Sequence, residues 1–116
     1  MRLLLGVLLA AACERHGSEE PVRPQLGMRA GEPILSAVPA AGYRINGRVS
    51  PALELTTGQV IRLDRGRRSV DSAYFDEPPW ARVPESARLR GTLRASVCRT
   101  DEALCRIAAV AVDLRR

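Results

Sequence analysis

The sequence predicts an all-β protein, a small sandwich preceded by a leader and a flexible tether. Three observations predict it. Outside the leader no segment keeps a helical period. The clearest pattern in the chain sets Leu89, Leu93, Ala95 and Val97 on one side of an extended strand and Arg88, Arg90, Thr92, Arg94 and Ser96 on the other, as a strand with one buried and one wet face requires. Short apolar runs also recur between turn-forming clusters, the spacing typical of sandwiches. At 116 residues there is room for one domain. Only 3% of residues are aromatic, so the core is expected to be shallow and aliphatic, the kind that gains from a covalent link.

The chain begins Met1-Arg2 and then runs apolar from Leu3 to Ala12 before Cys13 and the abruptly polar Glu14-Arg15-His16-Gly17-Ser18-Glu19-Glu20. That apolar run fits a signal-peptide core and is about half of what crosses a bilayer, so residues 1–12 are expected to be a leader for export. The junction Leu9-Ala10-Ala11-Ala12-Cys13 resembles the bacterial lipobox, which implies a lipidated Cys13. Ala10-Ala11-Ala12 is also an acceptable site for ordinary signal cleavage, so both processing routes stay open. With Cys13 as an anchor, three cysteines resolve into one lipid attachment and one pair, in a compartment where disulfides persist. The location expected is the bacterial cell envelope, facing the periplasm, with the membrane touched through the anchor alone.

Residues 13–33 are charged, contain Gly and Pro, and read as a flexible linker. His16, the single histidine, lies in this tether and is not expected to act as a ligand or base. The folded domain is expected over residues 34–116. Ile34 to Val38 reads as a first edge strand, ended by Pro39-Ala40-Ala41-Gly42, and Tyr43-Arg44-Ile45-Asn46 alternates. Leu53 and Leu55, the turn at Thr57-Gly58, and Ile61 and Leu63 read as a hairpin. Asp64 to Arg68 is a charged turn, and Ser69 to Phe75 reads as another short strand. Adjacent prolines in Asp76-Glu77-Pro78-Pro79-Trp80 force a loop, with Trp80 expected to fold back over the edge of the core. Pro84-Glu85-Ser86-Ala87 turns the chain into the Leu89–Val97 strand, and Val110, Val112 and Leu114 share one face of a closing strand.

Cys98 and Cys105 stand at the two inner ends of that last hairpin, where opposed Cα atoms lie about 4.5 to 5.5 Å apart and a disulfide fits. A bond there is either a staple or a working redox pair. An eight-residue loop gives roughly 2.5 kcal/mol against roughly 4.7 for a loop of a hundred, so a local bond is modest as a staple. Arg99 and Arg106 each follow a cysteine and favour thiolate, while Asp101 and Glu102 offset them.

The net charge is +5, carried by Arg with no Lys. Its arginines are scattered and few aromatics accompany them, so the basic balance reads as a solvated surface rather than a nucleic-acid interface. No metal set is expected from Cys98, Cys105 and remote His16. No cofactor is expected either. Asp76-Glu77 and Asp101-Glu102 read as solvated turn residues.

Pro39-Ala40-Ala41-Gly42-Tyr43-Arg44-Ile45-Asn46, Leu89-Arg90-Gly91-Thr92-Leu93, and the pair Cys98 and Cys105 before a terminal strand together resemble the N-terminal periplasmic domain of DsbD, the thiol:disulfide interchange protein. The resemblance spans roughly Pro39 to Leu114. It implies an immunoglobulin-like sandwich whose cysteines, here Cys98 and Cys105, shuttle between dithiol and disulfide. Implied partners are thioredoxin-like envelope proteins and a membrane electron donor, reached in trans. The family shields its cysteines with an acidic and aromatic cap loop, for which Tyr74, Phe75, Asp76 and Glu77 have the right character. Where the family commonly has Tyr-Pro-Pro after the second cysteine, this chain has Arg106-Ile107-Ala108. The alternative is a non-enzymatic immunoglobulin-like envelope lipoprotein whose permanent disulfide supports binding to another protein.

Overall fold

The computed structural model describes residues 20–85 and 88–115, which contain strands and turns and no helix. The leader, Cys13, His16 and the Ser86-Ala87 part of the predicted turn lie outside the described residues. Eight strands follow in order: β1 (Val22–Arg29), β2 (Glu32–Pro39), β3 (Tyr43–Ile45), β4 (Ala52–Leu55), β5 (Val60–Arg62), β6 (Trp80–Arg82), β7 (Arg88–Arg99) and β8 (Cys105–Arg115). All pairings are antiparallel. One sheet has the order β1-β2-β6. The other is built on β7, with β8 along one edge, β3 and β4 sharing the other, and β5 outside β4.

The two sheets pack into one compact all-β body, consistent with a sandwich, and the alternation in β7 shows why. Leu89, Leu93, Ala95 and Val97 are all at most 2% exposed, and β8 sets Val110 and Val112 beside them through the pairs Leu93↔Val110 and Gly91↔Val112. Val22, Leu35, Ala37 and Ala81 come from the smaller sheet to the same cluster. Each fully buried Leu or Val is worth roughly 1.5 to 3 kcal/mol of transfer free energy. β4 and β5 form the predicted hairpin, closed at Gly58, whose N–H donates to Leu55 O at 2.9 Å.

Five expectations are corrected. The stretch read as linker to residue 33 contains β1, which pairs with β2 along its whole length from Val22↔Pro39 to Arg29↔Glu32. Folding therefore begins by Val22, which is completely buried. Pro24, Gly27 and two arginines disguised a period of two in which Val22, Pro24 and Leu26 face inward, and a proline is tolerated because β1 is an edge strand. Consequently β2 is the middle strand of its sheet rather than a first edge.

Ser69 to Phe75 is a turn rather than a strand. Asp71 accepts hydrogen bonds from Ser69 Oγ (2.8 Å) and the Ala73 N–H (3.1 Å), and Ser72 adopts φ 63°. Short polar side chains here bond to local partners and compete with the ladder. Isolated bridges remain at Asn46↔Tyr74 and Arg68↔Phe75.

Trp80 does not cover the core. It opens β6 opposite Ser36, on the alternate side from core residue Ala81. Its burial comes instead from guanidinium groups: Arg29, Arg65 and Arg82 lie 4.4, 5.4 and 5.9 Å from the ring centroid, within cation–π range. Arg82 is also paired with Glu32. Finally, Ser96, read as wet, is 6% exposed, for a reason that belongs to the site.

Candidate functional site

From Ala95 to Cys98 four successive residues of β7 are buried. A strand with one wet face cannot do this, so its outer face is covered here. Asn46 donates its backbone N–H to Ser96 O (2.9 Å) and its side-chain Nδ2 to Ser96 Oγ (3.2 Å). Tyr74 bridges to Asn46 on the far side, and Ile107 lies opposite Ser96 on β8. Tyr74, Asn46, Ser96 and Ile107 thus form one row across the outer face of the larger sheet. The adjacent row is Arg44, Cys98 and Cys105, from the pairs Arg44↔Cys98 and Cys98↔Cys105.

Cys98 and Cys105 are joined by a disulfide with a Cα separation of 4.0 Å. Their closeness follows from the ladder. Ser96 accepts from Asn46, and the Thr100 N–H, just past the end of β7, donates to Gly42 O at 2.9 Å, so alternate residues from Ser96 through Cys98 to Thr100 turn their backbone groups toward β3 and the Gly42 turn before it. Cys98 and Cys105 therefore form a non-hydrogen-bonded pair across β7 and β8, the kind that brings side chains nearest.

The two cysteines are unequal. Cys98 is completely buried, whereas Cys105 is exposed at the start of β8, flanked by exposed Leu104 (77%) and Ile107 (62%). Among the described residues β8 pairs with β7 alone.

No family model, curated protein or solved structure matches this chain.

The charges near the sulfurs are arranged differently from the linear sequence. Arg99 and Arg106 follow the cysteines, so strand alternation turns both toward the opposite face. Arg99 also closes a fork onto Asp101, with Nε and Nη2 each 3.1 Å from a carboxylate oxygen. That contact lowers the Asp101 carboxyl below its ordinary value and raises the Arg99 guanidinium above its own. The cation on the sulfur face is Arg44. Its guanidinium lies 3.8 Å from the centroid of the Tyr74 ring, and its Nε is buried with no hydrogen-bond partner.

The structure brings Cys98 and Cys105 together and divides the four candidate cap residues. Tyr74 reaches the cysteine row through Arg44, whereas Phe75 belongs to the core. The Asp76 N–H donates to Arg67 O, and Glu77 Oε1 accepts from the Arg67 N–H at 2.8 Å, so this acidic pair ties the loop to Arg67. Cys13 lies outside the described residues. Arg44 is the participant that sequence reading missed. Its only signal was the Tyr43-Arg44-Ile45-Asn46 alternation, which places Arg44 away from the core but cannot name the strand beside it. Among the described residues, no group of three His, Cys, Asp or Glu is assembled as a metal set.

Proposed function

We propose that Cys98 and Cys105 are a thiol–disulfide exchange pair in an exported, lipid-anchored domain related to the immunoglobulin-like N-terminal domain of DsbD, relaying electrons to or from thioredoxin-like partners. The observation that carries this reading is the asymmetry of the pair: one cysteine exposed on an outer strand, its partner buried in the sheet. A partner thiolate attacks Sγ of Cys105, the Cys98–Cys105 bond breaks, and Cys98 departs as thiolate, leaving a mixed disulfide on Cys105. The partner's second thiolate then displaces Cys105. Two electrons have entered the pair, the partner is oxidised to its disulfide, and both released thiolates can take protons from water. Run backwards, the same steps reduce a partner.

The hairpin also suits the role, because β7 and β8 pair over eleven positions, ten of them beyond the cysteines themselves, a ladder expected to hold when the sulfurs part. Tyr74 is the one candidate cap residue positioned to influence the pair.

Equilibration of the full chain against glutathione and dithiothreitol buffers tests the proposal. A reduction potential of roughly −120 to −270 mV places the pair among exchange carriers, and a value below roughly −300 mV overturns the relay in favour of a permanent staple in a binding module. The geometry adds a directional test. Cys98→Ser, which leaves exposed Cys105, is expected to form a mixed disulfide with a thioredoxin-like protein, and Cys105→Ser is not. Equal trapping by both variants, or by neither, contradicts the assigned roles.

A further inference from the structure

We infer that Arg44 is the counter-ion of the leaving sulfur, holding the Cys98 thiolate when the disulfide opens; this rests on the exchange reading above. Three observations converge on it. Arg44 stands directly opposite Cys98 in the β3–β7 register, where facing Cβ atoms are about 4.5 to 5.5 Å apart. Its guanidinium stacks 3.8 Å from the Tyr74 ring centroid, on the same outer face of the sheet as the sulfurs. Its Nε is buried and has no acceptor.

A buried donor without a partner costs free energy and asks for an explanation. The oxidised state offers none, since a disulfide sulfur is a poor acceptor. Reduction changes the local chemistry: the electron pair of the broken S–S bond stays on Cys98 Sγ, which becomes an anion in a site with no exposure to water. A buried thiolate is disfavoured by desolvation, and a nearby cation reverses that preference. Arg44 Nε thus has no hydrogen-bond acceptor in the disulfide form, and the Cys98 thiolate would supply one in the reduced form. No proton needs to move for the first displacement. Arg99 and Arg106 cannot substitute, because they project to the other face, and Arg99 is already engaged with Asp101.

The energetic consequence is directional. Stabilising the departing Cys98 makes Cys105 the sulfur that is attacked, which agrees with its exposure.

NMR of the full reduced chain with isotopically labelled cysteine Cβ nuclei tests this by following each thiol against pH. In Arg44→Met the Cys98 midpoint is expected to rise by about 1 to 2 pH units, with Arg44→Lys restoring most of the shift and Cys105 moving less. An unchanged Cys98 midpoint in folded Arg44→Met overturns the assignment. A measurement on the unaltered chain guards against a variant that fails to fold: the Arg44 Nε–H resonance is expected to move on reduction, and an identical resonance in both redox states also overturns it. The two readings fail separately. A shifted Cys98 titration with no reaction toward disulfide partners keeps the Arg44 contact and removes the relay, whereas exchange that survives Arg44→Met with an unshifted titration removes the contact alone.

Discussion

Opening the Cys98–Cys105 bond, by reduction or by serine at both positions, should leave the domain folded but measurably weaker. The bond closes a loop of eight residues, sequence separation 7, for which chain entropy gives about 2.5 kcal/mol. What remains is substantial. The β7–β8 ladder continues for ten further pairs, including Leu93↔Val110 and Gly91↔Val112, and those core residues are at most 4% exposed wherever they carry an apolar side chain. A domain of this size holds on the order of 5 to 14 kcal/mol, so losing about 2.5 leaves a folded majority at room temperature. At about 4 to 8 °C per kcal/mol, the melting temperature should fall by about 10 to 20 °C. Urea titration of the oxidised and reduced chains measures the difference directly, and amide exchange at Leu93 and Val110 shows whether the ladder persists. Loss of cooperative unfolding on reduction at 25 °C would refute the reasoning, because a carrier must survive its own reduced state.

Two further outcomes are expected. Gly91→Ala should destabilise by about 3 kcal/mol, at the upper end of overpacking costs, because a Cβ there would lie 2.1 Å from Glu54 O and 2.8 Å from Leu55 Cα, both backbone atoms of β4; chemical denaturation reads it, and a loss under about 0.5 kcal/mol contradicts the close approach. Acid should also weaken the fold. Asp71, Asp101 and Asp113 have folded values lowered below 3.8 by hydrogen bonds from Ser69, Arg99 and Arg88 respectively, so their contribution is fully present above the unfolded value and disappears as pH falls through each folded one. All three are solvent-exposed, so the effect should be small and shrink in high salt; Asp113→Asn should flatten part of the acid slope, and an unchanged slope counts against the Arg88 contact.

The β7 and β8 patterns were readable because one face is aliphatic and the other charged, and the period of two in Leu93, Ala95 and Val97 survives inspection. β1 was not, since Pro24, Gly27 and the arginines look like a tether until Val22 and Leu26 are seen against β2. Ser69 to Phe75 misled for the opposite reason: enough apolar character for a strand, but an Asp71 that bonds locally and turns the chain. Trp80 reads as a cover for the core edge because it follows a proline loop, yet it opens β6 on the face away from the core cluster, beside arginines from three separated positions. In the site, the cysteine pairing was legible from hairpin spacing. The unequal exposure of the two sulfurs was not, because β3 shields Cys98 from 54 positions upstream, from Arg44, and no local pattern reports which strand becomes a neighbour.

The placement of β8 has a consequence for how a partner must come in. Displacement at sulfur is collinear: nucleophile, attacked atom and departing atom line up. With Cys98 on β7 and Cys105 beside it on the edge strand β8, in one row of the outer face, the proposed attack on Cys105 with Cys98 departing comes in from the β8 side. A reacting protein should therefore dock flank to flank, offering its own thiol at the height of the sheet, and bulky groups grafted beside β8 should obstruct it more than groups placed on top.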